Sequence, residues 1–360
     1  MTQHFRREAV AARDRAVEAG VGAQTNGGKQ WKVVVLNPWG EFGIYGEREI
    51  LEHAGCQVEV VMAATEDEVL AAVRDADGLY YTGPVTRKML LAMNRCKVIA
   101  ESAIGMDTFE DFDLATEKGI VACNCPGVFV DEVANQGMAL LLACVRWLVP
   151  TATFVKGGGW SERSRARPWG QVHRMTGQTI GIVGLGDIGK AMARRAAGFD
   201  LKVLACDPYL PAATFKEHGA QQVSLGKLLQ DSDFVSLHVP LNTETRHMIG
   251  APQFALMKPD AILINTCRGP VVDEAALIEA LQNKRILAAG LDVTEVEPIA
   301  SDSPLLTMDN VVISPHMASI SEWANGERRR RPAQEIASVL TGHRPRAVWN
   351  KDVLEHLNLK

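Results

Sequence analysis

Hydrophobic and polar positions alternate in blocks along most of the chain. Apolar runs at 32–36 (KVVVL), 58–62 (VEVVM), 78–82 (GLYYT), 97–102 (KVIAES) and 119–123 (GIVAC) predict five strands. Stretches such as GEREILEHAG and TEDEVLAAVRDA separate them with the longer period of amphipathic helices. This alternation is the mark of βαβ units in a parallel sheet. The segment VDEVANQGMALLLACVRWLV is apolar nearly all round and predicts one long buried helix through 131–148. A second series begins after KGGGW, with strands at 179–184, 202–207, 234–239, 261–266, 287–292 and 310–314. Eleven strands are too many for one comfortable sheet, so the pattern predicts two domains. Residues 320–341 read as a final helix stopped by Gly342 and Pro345.

Composition adds exclusions. A net charge of -5 argues against a broad nucleic-acid footprint. No apolar run reaches the length of a membrane span. Seven cysteines, odd in number and without a C-x-x-C pair, predict reduced thiols, a cytoplasmic protein and no metal site; Cys123 and Cys125 read as inert. Residues 1–30 mix acids with arginines and end in GVGAQTNGGKQ, which predicts a flexible extension containing at most a short amphipathic helix. Arg328 to Arg331 read as the solvated face of a helix.

The chemistry-bearing positions cluster at predicted strand ends. Gly184, Gly186 and Gly189 have G-x-G-x-x-G spacing between an apolar strand and a helix, and Asp207 ends the next strand 18 residues beyond the last glycine. That context predicts a dinucleotide fold, with the pyrophosphate on a helix N-terminus and Asp207 on the adenosine ribose. Arg268 follows the strand AILINT, Asp292 and Glu297 follow LAAGLD, and His316 follows NVVIS. A guanidinium matches a carboxylate with two parallel hydrogen bonds, so Arg268 in this position suggests a carboxylate clamp.

GLGDIG, SLHVPLNTETRHMI, INTCRGPVVDEAAL, GLDVTEVEP and SPHMAS, in that order, resemble the D-isomer-specific 2-hydroxyacid dehydrogenase family. IGMDTFEDFDLATEKGIVACNCPG resembles the family's substrate-domain segment, and VDEVANQGMALLLA with the ending NKDVL leans towards the branch that includes C-terminal-binding proteins. The resemblance implies an α/β architecture of two Rossmann-like, doubly wound parallel sheets. A flavodoxin-like substrate domain at 31–130, completed by 319–360, would hold an inserted NAD-binding domain at 131–318. It implies a homodimer and interconversion of small 2-oxo acids and D-2-hydroxy acids with NAD.

By the same resemblance, Arg268 binds the substrate carboxylate and carbonyl oxygen. His316 is the general acid and base, and Glu297 fixes its tautomer. Asp292 and the backbone near Cys267 orient the nicotinamide carboxamide. Asp187, Ile188, Val239, Pro240, Thr245 and Thr266 complete the cofactor set with Arg268 and His316, and His238 shapes the adenine side. Tyr81, Thr82, Gly83, Ile104 and Gly105 form the substrate loops. Formate-oxidising members carry glutamine where Glu297 stands, phosphite-oxidising members carry lysine in the loop of Ile104, and a nucleotide-sensing scaffold is the rival outside the enzymes. Loop 80–85 has no arginine and Glu101 stands nearby, so the expected substrate has no phosphate and an uncharged or weakly polar side chain. Three departures from the family pattern are Asp187 near the pyrophosphate, Asn135 in place of a glutamate, and the loop in GMDTFEDFDL, about three residues longer than the family's usual G-x-D-x-x-D-L.

Overall fold

The computed structural model describes residues 30–38, 40–162, 172 and 174–360. The expected N-terminal extension lies outside the described residues apart from Gln30. The chain divides into two compact units, one running to Val128 and resuming at Asn325–Lys360, the other Phe129–Ala324.

The first unit holds β1 (Trp31–Leu36), β2 (Cys56–Val61), β3 (Gly78–Tyr81), β4 (Val98–Ala100) and β5 (Val121–Cys123). All are parallel, in the order β2-β1-β3-β4-β5. Val33, Val34 and Val35 are fully buried, as expected of a central strand covered on both faces. Val34, Leu79 and Ile99 pack with Val73, Met89 and Ala115 of the flanking helices. On the other face Val33, Val35, Tyr80 and Val98 meet Ala333, Ile336 and Leu340 of the C-terminal helix. Thr65, Thr86 and Asp111 each accept a backbone N–H at a helix start, which fixes where the crossovers begin.

The second unit contains β6 (Thr179–Val183), β7 (Lys202–Cys206), β8 (Gln221–Gln222), β9 (Phe234–Leu237), β10 (Ile262–Asn265), β11 (Ala288–Leu291) and β12 (Val311–Ile313). The parallel order is β12-β11-β10-β9-β6-β7-β8. Apolar clusters cover both faces of this sheet, so both units are doubly wound α/β layers, as expected. Among the described residues twelve strands form rather than the eleven expected. The additional one, β8, is two exposed glutamines at a sheet edge, where no apolar run is needed and no periodicity signals it.

The long helix is also different. It ends at Val145, and a second helix runs from Leu148 to Lys156, bent from the first by 65°. Trp147 sits between them at φ 50. The cause is Pro150, whose ring would clash with the carbonyl four residues back if the first helix continued. Val130–Val145 buries nine residues against β10, β11 and the helix Asp187–Ala197, so its apolar faces are consumed inside its own unit. Asn135 accepts from Arg195 Nε at 2.7 Å, and Asp131 accepts from Arg194 and Arg195, tying those two helices together. Among the described residues no single helix is long and apolar enough to cross a membrane.

The four arginines at 328–331 do not form a solvated face. They are half-buried in the helix Glu322–Leu340. Arg329 pairs with the fully buried Glu47 at 3.4 Å, and Arg330 and Arg331 pair with Glu327. The sequence pattern hid this because their burial depends on the segment Glu41–Glu47, nearly three hundred residues earlier.

Candidate active site

The glycine motif lies where β6 gives way to the helix Asp187–Ala197, beside the point at which the strand order reverses between β6 and β9. Gly184 has φ +89, and a Cβ there would come within 2.7 Å of the His238 carbonyl. A Cβ on Gly189 would meet the Gly184 carbonyl at 2.1 Å. Gly186 faces open space, and no side chain caps the helix it opens. The first and third glycines therefore permit close packing, while the second leaves the helix N-terminus open to an anion. Asp187 is exposed and Ile188 half-buried on that first turn. Asp207, just beyond β7, accepts from Leu185 N at 2.9 Å and Tyr209 N at 3.0 Å, so its carboxylate is pinned at the glycine turn. These features fit a dinucleotide.

Arg268, Asp292 and His316 follow β10, β11 and β12, three neighbouring strands of one sheet. The buried Asn265 accepts from Cys267 N and donates to the Arg268 carbonyl, which shapes the turn carrying the guanidinium. Arg268 Nη1 donates to the Cys267 carbonyl at 2.8 Å. Gly269 is required because a Cβ would overlap the Thr294 carbonyl at 1.8 Å. Glu297 Oε2 stands 2.7 Å from His316 Nδ1, and Thr294 N donates to Glu297 Oε1. A carboxylate only accepts, so Nδ1 carries the proton in this pair and Nε2 is left to exchange one.

Asp292 does more than its sequence position suggested. Only 1% exposed, its carboxylate accepts from Ser314 Oγ, Met317 N and Ala318 N, pinning the turn that presents His316. One lone pair remains for a ligand, and Gln136 supports the arrangement by donating to Ser314 Oγ.

The remaining cofactor candidates divide by what their side chains already do. Thr245 Oγ1 donates to the Pro240 carbonyl at 2.6 Å and closes its own loop. Val239 packs over Gly184, and Pro240 is exposed. The Thr266 hydroxyl is buried without a partner among the described residues. Burial pushes the Cys267 thiol up to about 11 and His238 down to about 4, leaving both neutral near pH 7. His238 shares a 2.9 Å hydrogen bond with Ser236.

The substrate-loop candidates occupy the first unit, at the carboxyl ends of β3 and β4. Tyr81 ends one strand, with Thr82 and Gly83 after it, and Ile104 and Gly105 follow the other, all half-buried. The hydroxyls of Thr82 and Ser102 share a hydrogen bond, and Asn124 Nδ2 donates to the Ile104 carbonyl. The carbonyl of Ala103 accepts from Cys125 N, and Phe109 bridges to Val85, so the longer loop 103–110 is held at both ends. Glu101, only 2% exposed, has its carboxyl raised to about 8 by burial and then by Asp107.

Comparison with known proteins now bears on this arrangement. The family model for the D-isomer specific 2-hydroxyacid dehydrogenase NAD binding domain matches residues 138–318. The chain belongs to the D-isomer-specific 2-hydroxyacid dehydrogenase family. It is 38% identical over 322 residues to a D-3-phosphoglycerate dehydrogenase of Methanocaldococcus jannaschii, covering 89% of this chain but 59% of that relative. It is 41% identical over 292 residues to a glyoxylate reductase of Thermococcus litoralis, covering 79% and 87%. A solved NADPH-dependent glyoxylate/hydroxypyruvate reductase from Sinorhizobium meliloti, in complex with NADP and malonate, superposes with a TM-score of 0.78 at 27% identity, covering 92% and 99%. This is a family of oxidoreductases acting with a nicotinamide dinucleotide, and its relatives include reductases of small 2-oxo acids.

Proposed function

We propose that this protein reduces small 2-oxo acids to D-2-hydroxy acids, with NADH as its preferred dinucleotide. The observation that carries the reading is the Glu297–His316 pair at the end of β12, in the same sheet as Arg268 and the open glycine turn. Arg268 clamps the substrate carboxylate and polarises the adjacent carbonyl. His316 Nε2 delivers the proton to the carbonyl oxygen, and in the reverse direction accepts it. Glu297 keeps the other ring nitrogen protonated and the ring oriented, while Asp292 holds the turn. The nicotinamide supplies the hydride. Tyr81 to Gly83, with Ile104 and Gly105, lie at strand ends of the first unit and remain the substrate-loop candidates.

Preference for NAD rests on Asp207, whose pinned carboxylate repels a ribose 2′-phosphate. Tyr209 hydrogen-bonds Glu244, which sets a second acid near that position. The relative from Sinorhizobium uses NADPH, so this preference is a property proposed for this chain. We also propose a homodimer. Exposed apolar surface on the helix Leu148–Lys156 and the following turn supports it, with Leu148 and Trp160 57% and 66% exposed. NADH oxidation across a panel of aliphatic, aromatic and acidic 2-oxo acids tests the activity. Turnover on at least one is expected; none across the panel overturns it.

A further inference from the structure

A second histidine–carboxylate pair stands in the same unit as Glu297 and His316. His247 Nε2 lies 2.6 Å from Glu295 Oε1. His247 belongs to the loop after β9 that Thr245 closes, and Glu295 lies beyond β11 on the segment that carries Glu297. A carboxylate only accepts, so Nε2 carries the proton of this pair. The proposed reaction gives neither residue a part.

The backbone of His247 is engaged as well. Its N–H donates to the Pro270 carbonyl at 2.8 Å, within the short turn Gly269–Val271 that follows Arg268. Ile249 N donates to the Val271 carbonyl at 3.2 Å and Asp273 N to the Ile249 carbonyl at 3.0 Å, so the two segments continue side by side. His247 sits at φ 52, a left-handed conformation uncommon outside glycine. One residue thus holds Arg268's turn by its backbone and Glu297's segment by its ring.

Glu295 is fixed from the other side by Glu274. Its Oε2 accepts from Glu274 N at 3.1 Å, and Glu274 Oε2 accepts from Glu295 N at 2.9 Å. Two carboxylates are thereby kept close at the start of the helix Glu274–Gln282, and an imidazole proton on one of them offsets their repulsion. The same segment is seated on the turn of Arg268, where a Cβ on Gly269 would strike the Thr294 carbonyl. Thr294 N donates to Glu297, which holds His316. Asp292 ties the segments after β11 and β12. His247 ties those after β9, β10 and β11.

We infer that His247 is a positioning residue. Acting through Glu295, it keeps the turn of Arg268 and the segment of Glu297 in one fixed relation, so that carboxylate clamp and proton carrier are aligned together. The kinetic consequence rests on the proposed reduction of 2-oxo acids; the linkage itself does not.

The test uses the full-length protein, NADH and the 2-oxo acid that the parent reduces fastest. Asparagine tolerates the left-handed backbone but is too short to reach Glu295. His247→Asn is expected to lower kcat by about tenfold or more while KM for NADH stays within about twofold. Because His247 acts through Glu295, adding His247→Asn to Glu295→Ala should cost little beyond Glu295→Ala alone. Hydrogen exchange read by mass spectrometry needs no turnover. In His247→Asn, exchange at 268–272 and at 293–297 should quicken by about tenfold or more, with 184–189 at the parent rate. Thermal melts confirm folding, and His247→Asn decides by itself should Glu295→Ala not fold. A kcat kept within about twofold of the parent, unchanged exchange in either segment, or losses that add in the double variant each overturn the positioning role and leave the reduction in place. Absence of turnover on every 2-oxo acid removes the reduction, and exchange then decides the linkage alone.

Discussion

The backbone N–H of His316 donates to the Asp292 carbonyl at 2.8 Å, while the Asp292 carboxylate accepts three further hydrogen bonds from the residues on either side of that histidine. His316 itself sits at φ 50, a backbone conformation that a non-glycine residue keeps only when its surroundings enforce it. Asp292→Asn replaces an acceptor oxygen with a donor facing backbone N–H groups. The expected result is a loss of about 1–3 kcal/mol in stability and a fall in kcat of about tenfold or more. Denaturant melts and steady-state kinetics read the two effects, and a variant matching the parent in both would refute this pinning role.

Glu297 and His316 should separate by degree. On the proposed mechanism His316→Ala removes the proton carrier and is expected to lower kcat by about a hundredfold or more. Glu297→Gln leaves the carrier but presents an amide that can donate as well as accept, so the ring tautomer is no longer dictated. A smaller loss, carried by kcat and not KM, is expected. Parent-rate reduction by His316→Ala would mean that another group supplies the proton.

Arg268 tests the clamp. Lysine keeps the charge but loses the planar fork, so Arg268→Lys is expected to lower kcat/KM by about a hundredfold on any 2-oxo acid that the parent reduces. Retention of most activity would indicate a simple charge effect.

The proposed preference for NADH rests on Asp207. A 2′-phosphate there forfeits the ribose hydrogen bond and meets a fixed like charge, a penalty on the order of 2–4 kcal/mol. The ratio of kcat/KM for NADH over NADPH should be large and should narrow in Asp207→Ala. Equal efficiency with both cofactors in the parent protein would remove the assignment.

The parts of this molecule that were legible in the sequence are those whose information is local. Valine-rich runs gave the central strands, and the three glycines with Asp207 form one continuous strand–turn–helix–strand segment. Arg268, Asp292 and His316 were legible because each ends a recognisable strand. What escaped depends on contacts between distant segments. β8 has no apolar signature, and the burial of Arg328 and Arg329 requires Glu47 and the ends of β1 and β3. Pro150 was a readable signal for the helix break, outweighed by the apolar run around it.

Glu101 supplies a pH-dependent prediction. Its carboxyl is raised from the ordinary 4.5 to about 8, first by burial and then by Asp107, and its Oε1 has no hydrogen-bond partner among the described residues. Between those two pH values the folded protein keeps a proton that the unfolded chain has released. Stability contributed at this site is therefore present in full below about pH 4.5 and is lost as pH rises towards 8. Glutamine has nearly the same shape and cannot ionise. Glu101→Gln is expected to exceed the parent in stability on the order of 2–4 kcal/mol at pH 8, with the difference shrinking towards zero near pH 4.5. Denaturant unfolding at pH 5 and pH 8 measures it. If the two proteins keep a constant stability difference across that range, Glu101 ionises in the folded state as readily as it does in water, and its carboxyl is not held neutral.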